Sequence, residues 1–139
     1  MAKTEKLEKT QYETLGAFCY ALRRFIHFNE QAAESVGLTP QQHQAMLAIK
    51  GFPVRDCVTI GELAERLQLR HHSAVGLVDR MVAEKLVERE LSREDRRKVL
   101  IRLTAAGEGK LEKLSAMHRQ QLAQVGPELS GLLERLNVG

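Results

Sequence analysis

Cysteine, aromatic residues and long apolar runs are all scarce in this chain of 139 residues. The two cysteines, Cys19 and Cys57, cannot build a disulfide framework, and nothing in the sequence suggests export. No segment approaches the ~20 consecutive apolar residues that a membrane-spanning helix needs, and the first residues contain no secretory signal. These absences predict a cytoplasmic protein with no membrane partner.

What is present is the composition of a soluble globular domain. Hydrophobic residues make up 43% of the chain and charged residues 28%, which is enough apolar surface to offset the entropy of ordering. The net charge of the chain is only +3. Segment 70–110 has ten Lys or Arg against seven Asp or Glu, and this excess of three positive charges equals the net charge of the whole chain. Positive charge concentrated in this way indicates a polyanion-binding surface, although a solvated surface hairpin would give the same count.

Apolar spacing predicts helices over most of the chain. A first helix, from about Lys6 to Ser35, carries two adjoining apolar stripes and exceeds what one small domain needs, so part of it is expected to pack on another subunit. Thr39–Gln42 and Thr59–Glu62 are capping boxes, and each predicts the start of a helix. Two short helices joined at 68–70, the second over about 72–85, then indicate a helix-turn-helix.

The pattern changes after this pair of helices. Segments 86–91 and 99–103 predict two strands, and the polar segment 92–97 between them predicts a hairpin with a basic tip. Thr104 should cap a long helix that Gly126–Pro127 breaks before a short last helix, and loop 52–58 should be irregular, with Cys57 exposed. The predicted fold is mostly α with a small β-hairpin wing: a winged helix-turn-helix, whose second helix enters the DNA major groove.

Residues 38–111 resemble the MarR family of bacterial transcription regulators. The resemblance is carried by five segments in the family's order: Thr59–Leu67 (TIGELAERL), Leu77–Met81 (LVDRM), Leu86–Arg89 (LVER), Asp95–Val99 (DRRKV) and Leu103–Gly107 (LTAAG). It implies a single domain over 1–139, with a DNA-binding lobe at about 39–104 and dimerisation helices at about 1–36 and 105–139. It also implies a homodimeric repressor that binds a palindromic operator in double-stranded DNA and is released by a small aromatic or phenolic effector.

The resemblance assigns roles within the wing. Asp95 and Arg97 match the family's Asp-x-Arg motif. The match implies that Arg97 enters the minor groove, where the negative potential is strongest, while Asp95 orients the wing with Arg89 as its partner at the base of the hairpin. The other predicted DNA-binding cations of the tip are Arg93, Arg96 and Lys98.

The groove-facing side of the second helix follows by elimination, from the positions that point away from its apolar row, Val75, Val78 and Val82. Together with the preceding cation, the predicted DNA-binding residues are Arg70, His71, His72, Ser73, Gly76 and Arg80. Ser73 could instead cap the helix, and Arg80 could instead pair with Asp79 or a wing acid. The sequence departs from the family at Gly76, where relatives often carry Arg, and at Lys85, where a glycine usually ends this helix.

Several alternatives stay open. Cys19 allows an organic-peroxide sensor, but it lies one turn away from the sensing position of such relatives, and a buried structural cysteine is favoured. His43 either lines an effector pocket or is a core histidine. The sequence shows no catalytic motif and no metal-ligand spacing, so we expect no enzyme activity, no metal site and no cofactor. A winged-helix protein-interaction module without DNA readout is the remaining alternative.

Overall fold

The computed structural model describes residues 6–136, which form five helices and one three-stranded antiparallel sheet. In chain order the elements are α1 (Lys9–Ser35), α2 (Pro40–Lys50), β1 (Cys57–Val58), α3 (Ile60–Leu67), α4 (His71–Ala83), β2 (Val87–Leu91), β3 (Val99–Leu103) and α5 (Ala105–Leu136). Over these residues, no helix is both long and apolar enough to span a bilayer. The predicted fold class, mostly helical with a small wing, is confirmed.

Two compact units make up the chain. Residues 33–115 form one unit, which we call the central lobe, and it holds α2, α3, α4 and the whole sheet. The second, which we call the terminal unit, consists of α1 up to Ala32 and α5 from Ala116 onwards.

Both predicted capping boxes are present. The Thr39 hydroxyl accepts a hydrogen bond from the Gln42 N–H at 3.1 Å, while the Gln42 side chain accepts one from the Thr39 N–H at 3.0 Å. Thr59 and Glu62 repeat the arrangement at 3.2 and 2.9 Å. Each box satisfies two N–H groups that a helix start leaves without intrahelical partners, which is why α2 and α3 begin where the sequence predicts.

A left-handed residue follows each of the helices α1, α3 and α4. These residues are Gly37 (φ 79°), Gln68 (φ 56°) and Lys85 (φ 62°). After α4, the Leu86 N–H donates to the Met81 carbonyl at 2.9 Å, which is the hydrogen bond expected when the residue before it is left-handed. Lys85 therefore occupies a position that glycine adopts without penalty, whereas a residue with a Cβ is strained there by about 1–2 kcal/mol.

The strand order of the sheet is β1–β3–β2, so β3 lies in the centre. Val87 pairs with Leu103, and Arg89 pairs with Ile101, in the predicted hairpin. Ile101 and Leu103 are buried, and alternation along the strand turns Arg102 to the opposite face. The sheet thus covers the helices with one face and presents charged side chains on the other.

The end of the predicted loop 52–58 is instead a short strand. Cys57 and Val58 pair with Arg102 and Ile101, and Cys57 is only 6% exposed, so the predicted exposure of this thiol is wrong. A strand of two residues is too short to show an alternating pattern in the sequence.

Helix α5 continues through Gly126 and Pro127, so the predicted break between two helices is wrong. Proline removes one backbone donor and disfavours a helix interior by roughly 3 kcal/mol. Val125 and Leu132, seven residues apart on one side of the helix, are both buried. Packing on either side of the proline therefore outweighs its local preference.

The terminal unit leaves large apolar side chains exposed. Leu15 and Ile26 on α1 are separated by eleven positions, or about three turns, and so lie on one side of the helix. Leu122 and Leu133 on α5 have the same separation. All four are 40–53% exposed in the single chain.

Candidate nucleic-acid interface

Helix α4 is held in the lobe by one face and open to solvent on the other. Its buried residues are Ala74, Leu77, Val78 and Met81. The predicted apolar row is therefore only partly right, because Val75 and Val82 are half-buried and the buried face is centred nearer Leu77. The predicted contact residues are nevertheless open to solvent: His71, His72, Ser73 and Arg80 are exposed, and Gly76 is partly exposed.

The start of α4 carries no compensating acid. Arg70 is the N-cap residue, its side chain makes no capping hydrogen bond, and the first turn contains no Asp or Glu. Ser73 lies inside the first turn and is not the cap, which removes the structural alternative for this residue. The partial positive charge of the helix start thus stands beside an exposed arginine, an arrangement suited to a phosphate.

Asp95 organises the tip of the wing. Its Oδ1 accepts hydrogen bonds from the Arg97 backbone N–H at 3.0 Å and from Arg97 Nε at 3.1 Å. Its own N–H donates to Ser92 Oγ at 3.3 Å, and its carbonyl accepts from the Lys98 N–H at 2.9 Å. The Arg97 guanidinium, followed by the Arg97 N–H, holds the pKa of Asp95 below its ordinary value. Arg97 itself is 91% exposed, so one carboxylate fixes the direction of an arginine that solvent surrounds.

The structure gives Arg89 a different partner from the predicted one. Arg89 forms an ion pair with Asp79 of α4, not with Asp95. Pairing with Ile101 places Arg89 on the sheet face that covers the helices, whereas Asp95 lies beyond the strand in the tip. Arg89 thus ties the base of the wing to α4 through Asp79, which the sequence indicated only as a partner for Arg80. The place of Asp79 within the LVDRM segment, three residues after the partly exposed Gly76, was the available signal.

Arg80 does not form an ion pair with Asp79. The sequence allowed this pair, but Asp79 pairs with Arg89 instead, and Arg80 forms no ion pair within residues 6–136. Its Nη1 lies 3.8 Å from the position that a Cβ on Gly76 would take. The absence of a side chain at Gly76 therefore leaves room beside a free guanidinium on the exposed face of α4. The remaining predicted cations of the wing, Arg93, Arg96 and Lys98, are exposed.

The other candidate residues lie on α1 and α2. His43 is 2% exposed in α2, as a core histidine would be. Cys19, predicted to be buried, is only half-buried in α1, and Cys19 and Cys57 are both free thiols. In the described part of the chain, no group of three His, Cys, Asp or Glu side chains is placed to hold a metal ion.

Helices α3 and α4 followed by the β2–β3 hairpin define a winged helix-turn-helix protein, and comparison with known proteins agrees. Residues 36–98 match the model of the MarR family. A MarR-family protein from Bacillus stearothermophilus has a similar structure, with a TM-score of 0.74 and 26% identity over 87% of this chain and 82% of that one. Comparison with curated protein sequences gave no match. The match to the MarR family of winged-helix transcriptional regulators thus covers the central lobe from just before α2 to the tip of the wing.

Two further solved structures share the fold. A mutant of S. aureus MepR bound to an oligodeoxyribonucleotide has a TM-score of 0.68 and 21% identity, over 90% of this chain and 97% of that one. BpsR from Bordetella bronchiseptica, whose DNA binding is regulated by 6-hydroxynicotinic acid, has a TM-score of 0.63 and 18% identity, over 99% of both chains.

Proposed function

We propose that the protein is a repressor that binds a palindromic operator as a homodimer, with α4 in the major groove and the wing in the adjoining minor groove. The observation that carries this proposal is the wing tip, where Asp95 presents the exposed Arg97 within the same lobe as the open face of α4. A thin hairpin with an oriented arginine fits the narrow minor groove.

The two parts of the surface have different tasks in this proposal. His71, His72 and Arg80 carry donors and acceptors that can read base edges in the major groove. Arg70 at the helix start, with Arg93, Arg96 and Lys98 at the wing, neutralises phosphates and fixes the register on the duplex. Since Gly76 has no side chain, base readout beside it falls to its neighbours.

Dimerisation through the terminal unit is part of the same proposal. The stripes that contain Leu15 and Ile26 on α1, and Leu122 and Leu133 on α5, are exposed apolar surface of the kind that subunit interfaces cover. Two copies related by a two-fold axis would present two lobes, and a pseudo-palindromic operator mirrors such symmetry.

We further propose that a small aromatic or phenolic acid releases the protein from DNA. The match to the MarR family and the regulation of BpsR by 6-hydroxynicotinic acid support this step. His43 stays the candidate contact, and because it is buried, neighbouring groups must move before a ligand can reach it. A melting screen of small aromatic acids, peroxides and metal ions against the protein–operator complex tests the effector, and a response to peroxides alone would favour a redox sensor that uses Cys19.

Selection from a random duplex library tests the DNA-binding proposal. We expect enrichment of a two-fold symmetric sequence whose half-sites are about one helical turn apart. Failure to enrich any duplex at low salt would favour the protein-interaction module instead.

A further inference from the structure

Five charged side chains form a continuous series of ion pairs along the charged face of the wing sheet. At its centre, Arg102 Nη1 lies 2.7 Å from Asp56 Oδ1, and Arg102 Nη2 lies 2.9 Å from Glu90 Oε1. Lys50 Nζ lies 4.0 Å from Asp56 Oδ2 and 2.9 Å from Glu108 Oε1. We call this series, Glu90–Arg102–Asp56–Lys50–Glu108, the wing-anchor chain.

The wing-anchor chain connects the wing to the helical part of the central lobe. Glu90 and Arg102 belong to β2 and β3, while Lys50 ends α2 and Glu108 lies in the first turn of α5. Asp56, in the loop before β1, joins the two halves by contacting both Arg102 and Lys50. Hydrogen bonding to Glu90 raises the pKa of Arg102, and hydrogen bonding to Glu108 raises the pKa of Lys50. Both cations thus already have carboxylate partners in the protein without DNA.

The base of the wing packs on the helices through Val87, Ile101 and Leu103, which are buried, so the ion pairs act mainly beyond this base. Strand β1 pairs with β3 at only two positions, and the Arg89–Asp79 ion pair holds the opposite face of the hairpin against α4. Beyond its packed base and β1, the hairpin is a two-stranded ribbon, which twists readily, so the direction of its tip is sensitive to such side-chain contacts. Half-exposed ion pairs contribute little to global stability. The wing-anchor chain is therefore suited to fixing a position and poorly suited to holding the fold together.

We infer that Arg102 and Asp56 are positioning residues for DNA binding, which set the angle between the wing and α4 without touching DNA. The inference rests on the proposed DNA-binding function. Its consequence is specific: Arg97 reaches the minor groove while α4 occupies the major groove only when the wing-anchor chain is intact.

Whether a charge-neutralising substitution strengthens or weakens DNA binding separates a positioning role from a simple electrostatic one. Asp56→Asn removes a negative charge at nearly constant shape, so electrostatics alone predicts tighter binding to DNA. Positioning predicts weaker binding, by about threefold to tenfold at about 150 mM salt. Glu94→Gln is the matched control, since Glu94 carries the same charge in the wing and forms no ion pair within residues 6–136. It should leave affinity unchanged or raise it. Tighter or unchanged binding by Asp56→Asn would overturn the inference.

The salt dependence of binding tests whether Arg102 touches DNA. Loss of a phosphate contact lowers the log–log salt slope by about one per lobe, whereas loss of a positioning residue leaves the slope as it is. We expect Arg102→Gln to weaken binding with an unchanged slope, and Arg102→Lys, which retains one ion pair, to recover part of the affinity. A reduced slope for Arg102→Gln would show a direct contact and contradict the inference.

Hydrogen exchange of the free protein gives a readout that needs no DNA. In Asp56→Asn, the amides of β2 and β3 should exchange faster, while those of α3 and α4 keep the rates of the parent protein. Equal exchange in the two proteins, or faster exchange throughout the lobe, would refute a role confined to the wing. If the parent protein binds no duplex, the proposed function fails. The hydrogen-exchange result then still decides whether the wing-anchor chain positions the wing.

Discussion

At residue 107 the start of α5 passes directly over the connection between α4 and β2. A Cβ on Gly107 would lie 2.2 Å from the Leu86 carbonyl oxygen, which also accepts the Thr104 N–H at 3.0 Å. Because the Leu86 carbonyl and the Cα of residue 107 both belong to the backbone, neither can move aside at low cost in free energy. Gly107→Ala should lower the free energy of unfolding by about 1–3 kcal/mol, measured by urea denaturation.

Gly109 provides the control for that substitution two residues further along α5. A Cβ there would meet nothing within 4 Å, so Gly109→Ala should stabilise the helix by about 0.5–1 kcal/mol. Opposite signs for the two alanine variants would support the close approach at Gly107. Equal effects would show that the first turn of α5 does not need a glycine for space.

The left-handed conformation of Lys85 predicts an unusual stabilising change. Lys85→Gly should raise the free energy of unfolding by about 0.5–1 kcal/mol, because the relief of strain exceeds the entropy that glycine gains in the unfolded chain. Lys113→Gly, at an exposed position inside α5, should instead lower it by about 1 kcal/mol. Thermal melts of the two variants show directly whether each substitution raises or lowers stability. Destabilisation by Lys85→Gly would show that the strain is absent.

At the scale of the elements, the proposed interface predicts that one side chain of the wing dominates binding. Arg97→Ala should weaken operator binding by about 1–3 kcal/mol, because Arg97 is the exposed arginine that Asp95 orients and that the proposal places in the minor groove. Arg96→Ala removes an exposed neighbour with a replaceable phosphate contact, so it should have a smaller effect and reduce the salt slope by about one per lobe. Fluorescence anisotropy at fixed salt, with circular dichroism to check folding, gives both affinities. Parent-like binding by Arg97→Ala would remove the wing from the proposed interface.

Asp95→Ala tests the orienting role separately. Although it removes a negative charge near DNA, it should weaken binding in the manner of a milder Arg97→Ala, because the guanidinium and the Arg97 N–H lose a shared acceptor. The same anisotropy titration measures it. Tighter binding would mean that Asp95 acts on DNA only through its charge.

The elements that the sequence predicted are those with local chemical signals. The capping boxes at Thr39 and Thr59 mark the starts of α2 and α3, because their hydrogen bonds join residues three apart. The elements that were mispredicted depend on distant contacts. Strand β1 exists only because β3 pairs with it, and α5 crosses Pro127 because buried residues flank it.

The candidate site also contains some contacts that the local sequence predicts and others that depend on distant residues. The Asp95–Arg97 contact spans two residues and could be predicted from the motif. The partner of Arg89 could not, since Asp79 lies ten residues away on another element, and only the strand register decides which face Arg89 occupies. The exposure of Cys19 and Leu15 depends on tertiary packing that spacing alone does not reveal.

At the scale of the whole molecule, the exposed stripes of the terminal unit predict a dimer at micromolar concentration. Replacing Leu15 and Ile26 together by glutamate should give a monomer in sedimentation velocity, because it removes apolar area and places unpaired charge in the interface. Gln31→Glu, an exposed polar position on the opposite side of the same helix, should leave the dimer intact. A double variant that sediments as the parent dimer would place the subunit interface elsewhere.

The measurement that tests the account most directly is a salt titration of binding to the selected operator duplex by fluorescence anisotropy. If each lobe neutralises three or four phosphates, as its exposed arginines and Lys98 suggest, the dimer should lose about three orders of magnitude in affinity between roughly 50 and 200 mM salt, linearly on a log–log plot. Binding that does not depend on salt, or the absence of binding to any duplex at low salt, would contradict a winged helix that acts through its basic tip.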